Sequence, residues 1–329
     1  MSAASTPFAP VLCAGTATVA LAGCSGVQSA LSPEGIESER TWVLFWVLTA
    51  GGSTILVTVV VLAVAAIIRR PAWLGTEALV VGGGLVFPVV SLTALLGYGL
   101  LLMNVSAGES AVKPALELEV KAEQWWWRIV YKMPDGTRVE SANEIRIPVG
   151  QTIRLELTTA DVIHSFWVPK LAGKLDMIPG RKNVLNLVAN KAGVSRGQCA
   201  EYCGGAHAFM SFYVVALPTD DFAKWLANEA GGARNQNEQA AGQMLFLSHG
   251  CGSCHTIRGT AAVGTIGPDL THVGNRMSLA AGALPNDEQA FARWIVNNQH
   301  VKPENRMPPF GIFTDAELQS LTQFLAALK

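Results

Sequence analysis

QCAEYCGGAHAFM, residues 198–210, places Cys199, Cys203, His207 and Met210 at spacings of 4, 4 and 3. Two thiols, an imidazole and a thioether on one tight loop form a soft donor set that suits copper. Cysteines four apart can both bridge a metal pair, while His164 from an earlier segment, His207, Met210 and the main-chain carbonyl of Glu201 cap the two metals separately. Two bridged coppers share one electron over both ions, so reduction changes the geometry little and transfer is fast. A zinc site or a copper-chaperone thiol pair would use fewer of these positions.

Outward from this loop the texture is short β-rich runs: LELEV (116–120), WWWRIVYK (125–132), EIRIPVG (144–150), QTIRLELTT (151–159), VIHSFWVP (162–169), NVLNLVA (183–189) and FMSFYVVAL (209–217). Turn signals such as MPDG and IPGRKN separate them. They predict an antiparallel all-β domain of about 100 residues, a sandwich or small barrel.

Upstream the chain is apolar. Trp42–Ile68 and Ala78–Gly108 contain no Asp, Glu, Lys or Arg, and each exceeds the ~20 residues needed to cross a bilayer core. The short connection RRPAWLGTE carries Arg69 and Arg70. The excess of cations places that connection in the cytoplasm and both soluble parts on the opposite side. Further upstream, Leu21-Ala22-Gly23-Cys24 ends an apolar run without a preceding Lys or Arg. It resembles a bacterial lipoprotein cleavage box, with Cys24 as the lipidated residue and Cys13 discarded with the signal. The net charge of −1 and scattered lysines and arginines exclude a nucleic-acid face.

Downstream, NEAGGARNQNEQA (228–240) reads as a flexible connection. CGSCH then follows at Cys251–His255, a c-type haem attachment in which Cys251 and Cys254 bond the haem and His255 ligates iron. Two methionines follow, Met277 and Met307. Met307 lies in the proline-braced NRMPPF, between the amphipathic NDEQAFARWIVNN and a capped helix beginning TDAE. That setting resembles the class I cytochrome c arrangement and favours Met307 as the sixth ligand. The Pro268 carbonyl in GPDL is expected to accept from the ring of His255. His249, His272 and His300 read as surface or packing residues.

The pattern His164, then C-x-E-x-C-x3-H-x2-M, resembles the CuA motif of cytochrome c oxidase subunit II. The resemblance covers residues 41–220 and includes HSFWVPKLAGKLDMIPGR (164–181) and QWWW (124–127). With the haem motif, the whole is similar to subunit II of bacterial oxidases that carry their own cytochrome c. The fold expected is a multidomain membrane protein: a two-helix hairpin, an all-β cupredoxin-like Greek key barrel and an all-α class I cytochrome c domain. The expected boundaries are 1–23 signal peptide, 24–40 N-terminal segment, 41–108 hairpin, 109–220 cupredoxin-like CuA domain, 221–240 linker and 241–329 cytochrome c domain.

By resemblance, Glu201 would bind by its carboxylate a magnesium shared with the catalytic subunit, and Trp125 would lie on the electron path to copper. Glu77 would stand at a proton uptake point, or serve as an ordinary interfacial charge. The resemblance further implies oxidase subunits I and III as partners, and a cytochrome c or a quinol–cytochrome c reductase as donor. It places the chain in the bacterial inner membrane, where a partner subunit reduces oxygen to water with proton translocation. A CuA subunit of a nitric oxide reductase and a copper-delivery factor are the rival readings.

Overall fold

The computed structural model describes residues 25–69, 76–109, 113–233 and 240–329. The expected signal peptide, Cys13, Cys24, Arg70 and residues 234–239 lie outside the described residues. The chain divides into two units: Glu39–Lys113, and Pro114–Lys329 together with the residues up to Ser38.

The first unit is helical. Helix α1 spans Ile36–Ile68; α2 (Glu77–Val81) leads through a π-helical segment, Gly82–Val86, into α3 (Phe87–Glu109). Their apolar side chains are exposed nearly all round. That pattern suits a helix surrounded by hydrocarbon rather than one with a single buried stripe. The sequence reads as one continuous second helix. The π segment falls on Gly82-Gly83-Gly84, where three successive residues lack the side chains that would hold the α register.

The β-domain is built on ten strands: β1 Leu116–Glu123, β2 Trp126–Lys132, β3 Arg138–Ala142, β4 Glu144–Pro148, β5 Ile153–Thr159, β6 His164–Trp167, β7 Leu175–Met177, β8 Asn183–Leu187, β9 Gly193–Cys199 and β10 Ser211–Leu217. They form two five-stranded sheets, ordered β3-β2-β1-β5-β8 and β4-β10-β9-β6-β7. Alternation explains the layering. In β1, Leu118, Val120 and Ala122 are fully buried, while Glu117, Glu119 and Lys121 face outward. The sheets are not purely antiparallel as expected, because β1 runs parallel to β5 and β4 parallel to β10. Parallel neighbours need long crossovers, which leave no mark on the local alternation of either strand.

Two short pieces close the domain. Upstream, the Val27 carbonyl accepts from the amide of Arg196, Glu34 pairs with Lys170 at 2.8 Å, and Ser38 Oγ donates to the Lys170 carbonyl at 2.6 Å. Downstream, residues expected to begin the linker form α4, Thr219–Ala230. Phe222 and Leu226 are buried in the β-domain core, with Trp225 edge-on to Tyr131 at 5.3 Å. Packing of this apolar stripe, rather than propensity, makes the helix. The connection therefore starts near Gly231, not at residue 221.

The C-terminal domain is helical: α5 Ala240–Ser248, α6 Glu288–Val301 and α7 Asp315–Ala327, with a two-stranded ribbon of β11 (Ser278–Leu279) and β12 (Leu284–Pro285). Asp287 caps α6, and Thr314 with Glu317 forms a capping box on α7. Helix α5 crosses α7 at Gly242, where an added Cβ would meet the Ser320 carbonyl at 2.2 Å and Phe324 Cβ at 2.5 Å. Gly242→Ala is expected to destabilise this domain by about 1–3 kcal/mol through overpacking. Its thermal midpoint, followed by haem absorbance, should drop while the β-domain transition stays in place.

This domain lies against the β-domain. Glu144 accepts from the Met277 amide at 2.7 Å, the Ser211 amide donates to the Ala281 carbonyl at 2.9 Å, and Arg258 donates to the Glu140 carbonyl at 3.3 Å.

Candidate metal centre and haem site

The ends of β6 and β9 and the loop between β9 and β10 bring the copper candidates together. His164, the first residue of β6, is fully buried, and its Nδ1 stands 3.7 Å from Cys199 Sγ at the end of β9. Cys203 Sγ stands 3.4 Å from His207 Nδ1 and 3.9 Å from Met210 Sδ. Cys199 Sγ also approaches the Glu201 carbonyl at 3.2 Å. Each sulfur thus has its own imidazole and its own weak donor. The ligand atoms of His164, Cys199 and Cys203 all lie within 4.8 Å of one another. This donor set fits a thiolate-bridged pair of soft metal ions.

The electrostatics follow from burial and sharing of protons. Cys199 is held down to about 4, first by the Cys203 thiol donating to it and then by His164, against the cost of burial. Cys203 is raised correspondingly, chiefly by that same hydrogen bond. Burial opposes charge on His164, but Cys199 and Asp161 outweigh it and raise the imidazole above its ordinary value.

Asp161 was absent from the sequence reading. Its Oδ1 accepts from His164 Nε2 at 2.9 Å and its Oδ2 from the Gln124 amide at 2.8 Å. It turns the other ring nitrogen of His164 toward the sulfurs, as carboxylates behind metal-bound histidines do. An acidic residue three positions before a ligand histidine was the available signal.

Beneath the site Trp127, Phe166 and Phe212 form an aromatic floor. Phe166 stacks on Phe212 at 4.7 Å, and Trp127 lies 4.9 Å from Phe212 and 6.4 Å from His164. Trp125 is buried, and its Nε1 donates to the Cys203 carbonyl at 2.9 Å. The Glu201 carboxylate is half exposed, 3.8 Å from Lys174. Glu77, in the other unit, is exposed in the first turn of α2.

In the C-terminal domain, His255 Nδ1 is 2.8 Å from the Pro268 carbonyl, leaving Nε2 free to bind iron. The ring lies flat on Gly267, where a Cβ would meet it at 2.5 Å. Burial pushes this imidazole below its ordinary value, toward the neutral form a ligand needs. Cys251 and Met307 pack on the same apolar cluster, with Leu270, Trp294 and Phe310. The Met307 loop is braced by Asn298 Nδ2 on the Pro308 carbonyl at 3.1 Å and by the Asn305 side chain on the Met307 amide at 3.0 Å. Met277, 44% exposed, sits on the side facing the β-domain. Cys251, His255 and Met307 thus lie in one small domain, a donor set that fits a covalently held haem.

Fold and site together define a class: two long apolar helices, a cupredoxin-like β-domain and a helical class I cytochrome domain in one chain. Comparison with known proteins specifies it. Residues 131–217 match the family described as cytochrome c oxidase subunit II, periplasmic domain, and residues 239–329 match cytochrome c. Two stretches of the chain are thus similar to a subunit II periplasmic domain and to a cytochrome c, domains that imply copper and haem c.

It is 35% identical over 214 residues to the cytochrome c oxidase subunit 2 of Alkalihalophilus pseudofirmus, covering 64% of this chain and 61% of that one. It is 31% identical over 230 residues to that of Bacillus sp. (strain PS3), covering 66% and 63%. The chain thus spans a little over three-fifths of these relatives. Among solved structures, it is similar to the periplasmic domain of subunit II of cytochrome oxidase from Bradyrhizobium japonicum, with 34% identity, a TM-score of 0.34, and coverage of 36% of this chain and 95% of that one.

Proposed function

We propose that this chain is the electron-input subunit of a haem–copper respiratory oxidase. It would take electrons from a donor and pass them through haem c and CuA to a partner subunit that reduces oxygen to water with proton translocation. The observation that carries this reading is the docking of the domain that bears Cys251, Cys254 and His255 on the same β-domain that assembles two thiols, two imidazoles, a thioether and a carbonyl. When bound, the two groups supply one-electron oxidation and reduction at nearly fixed geometry.

The residues divide the work. Cys199 and Cys203 would bridge the coppers; His164, His207, Met210 and the Glu201 carbonyl would complete their coordination. Asp161 fixes the orientation of His164, and the indole of Trp125 lies along the route into the copper loop. Cys251 and Cys254 would hold the haem covalently, with His255 and Met307 as axial ligands. A six-coordinate haem leaves no position for oxygen, which suits a carrier. The half-exposed Glu201 carboxylate would take a magnesium at the interface with subunit I, and Glu77 would sit near a proton uptake path. The hairpin would cross the bacterial inner membrane twice, with both soluble domains outside, Cys24 lipidated, and a cytochrome c or a quinol–cytochrome c reductase as donor.

The test is purification of the chain with its membrane partners. Two coppers per covalent haem, a twelve-helix partner subunit and oxygen consumption with reduced cytochrome c are expected. One labile Cu(I) per chain would instead mark a copper-delivery factor, and turnover of nitric oxide rather than oxygen would redirect the acceptor. The axial assignment has its own check. Met307→Ala should lower the haem midpoint potential and change its low-spin spectrum, because thioether ligation raises the potential. Met277→Leu should leave both unchanged in redox titration.

A further inference from the structure

Five residues before the second axial candidate, the turn KPENR (302–306) reads as an ordinary charged surface loop. The structure places it against the copper loop. Lys302 is buried at 3% exposure, and its Nζ donates to the Trp125 carbonyl at 2.5 Å and to the Ala280 carbonyl at 3.1 Å. The indole of the same Trp125 donates to the Cys203 carbonyl at 2.9 Å. The Glu304 carboxylate fills the space that a Cβ on Gly205 would take, between Cys203 and His207. Arg306 lies 3.8 Å from Asp161, the carboxylate that holds His164. Three charged side chains on one turn therefore reach three separate supports of the copper site.

Burial of an ammonium with only carbonyls as partners is costly, and it pushes the Lys302 amine down to about 7. Such a cost is accepted where it fixes one arrangement among several, and here Lys302 joins an element of each domain. The turn ends on Met307 itself.

We propose that the turn Lys302–Arg306 is a clamp that holds the Met307 side of the haem domain on the copper loop, with Lys302 as its positioning residue, so that electrons cross in one fixed docked arrangement. This rests on the electron-transfer reading above. In each crossing one electron leaves the ferrous haem and arrives on the oxidised copper pair; no bond forms or breaks and no proton moves.

The experiment uses Lys302→Met in the full chain, which keeps most of the unbranched side chain and removes the amine. Loss of the two buried hydrogen bonds from Lys302 Nζ loosens the docking equilibrium by about 10- to 100-fold. Hydrogen exchange should accelerate at the amides of Ser211 and Met277, which donate across the interface. The amides inside β10 and α7 should stay protected. In the same protein, laser-triggered electron transfer from haem to copper should slow, with both absorption spectra unchanged.

Unaltered exchange at Ser211 and Met277 would overturn the clamp. Exchange rising throughout the C-terminal domain would also overturn it, making Lys302 a folding residue only. If Lys302→Met does not accumulate, Arg306→Glu, at a solvent-facing position, sets a like charge against Asp161 and is read by the same two amides. The exchange readout stands even if the metal assignment fails, so a failed clamp and a failed electron-transfer reading are told apart.

Discussion

Cys203→Ser is expected to abolish the copper pair while leaving the haem in place. Each sulfur has a private imidazole: Cys199 with His164 at 3.7 Å and Cys203 with His207 at 3.4 Å. Neither set is complete without a bridge, so losing one sulfur removes a ligand from both metals. A serine hydroxyl at this position stays protonated at neutral pH and is too hard a donor to replace a thiolate for copper. Copper content should fall from two per haem to one or none, and the mixed-valence spectrum should vanish. Haem attachment should be untouched, because Cys251 packs on a separate core, with Cys254 and His255 on the same short segment. The metal-stabilised part of the thermal midpoint should go too, since a ligand that binds only the folded state stabilises it. Metal analysis and electron paramagnetic resonance on the same sample decide it; two coppers retained per haem with a delocalised signal would refute the bridging role.

Trp127→Ala should have the largest effect on stability. Trp127 is fully buried and joins His164, Phe166 and Phe212 in one cluster. Removing such a side chain leaves a cavity the sheets cannot collapse, at a cost of about 3–5 kcal/mol. Its Nε1 has no hydrogen-bond partner among the described residues, so part of the indole's burial is already unfavourable. Trp127→Phe keeps most of the ring contacts and deletes that unpaired N–H; its cost should be about 1 kcal/mol or less. Denaturant unfolding of the two variants, followed by near-ultraviolet circular dichroism, separates the predictions. Equal losses would show that ring volume is not what supports the floor.

The copper loop was legible because its donors adjoin along the chain: Cys199, Cys203, His207 and Met210 need only one turn to converge. The two long apolar helices were legible because length and absence of charge suffice. His164 was less legible, since 35 residues separate it from Cys199 and only the pairing of β6 with β9 brings it to the loop. Other features depend on partners far away in sequence. The parallel pairing of β1 with β5 is decided by a crossover, not by either strand. The helix at 219–230 carried its own signals, Asp220 and Asp221 in the first turn, Phe222, Trp225 and Leu226 at helical spacing and Gly231 just past the end, but its polar, glycine-bearing tail runs on into the connection and reads as part of it. Lys302 illustrates the limit most clearly: a lysine in a polar turn becomes buried only when a second domain closes over it.

The connection between the two soluble domains has a quantitative consequence. The helix α4 packed on the β-domain ends at Ala230, and only residues 231–239 separate it from α5. Even fully extended, such a span reaches roughly 35 Å, so the haem domain meets its dock at a local concentration on the order of 1 mM. Contacts that would give separate molecules a Kd of about 10 μM then keep about 99% of chains closed. A hundredfold loosening would leave about half of them open. Tethering thus lets one exposed ion pair, a few hydrogen bonds and one buried lysine govern a population that free partners would need a much larger interface to hold.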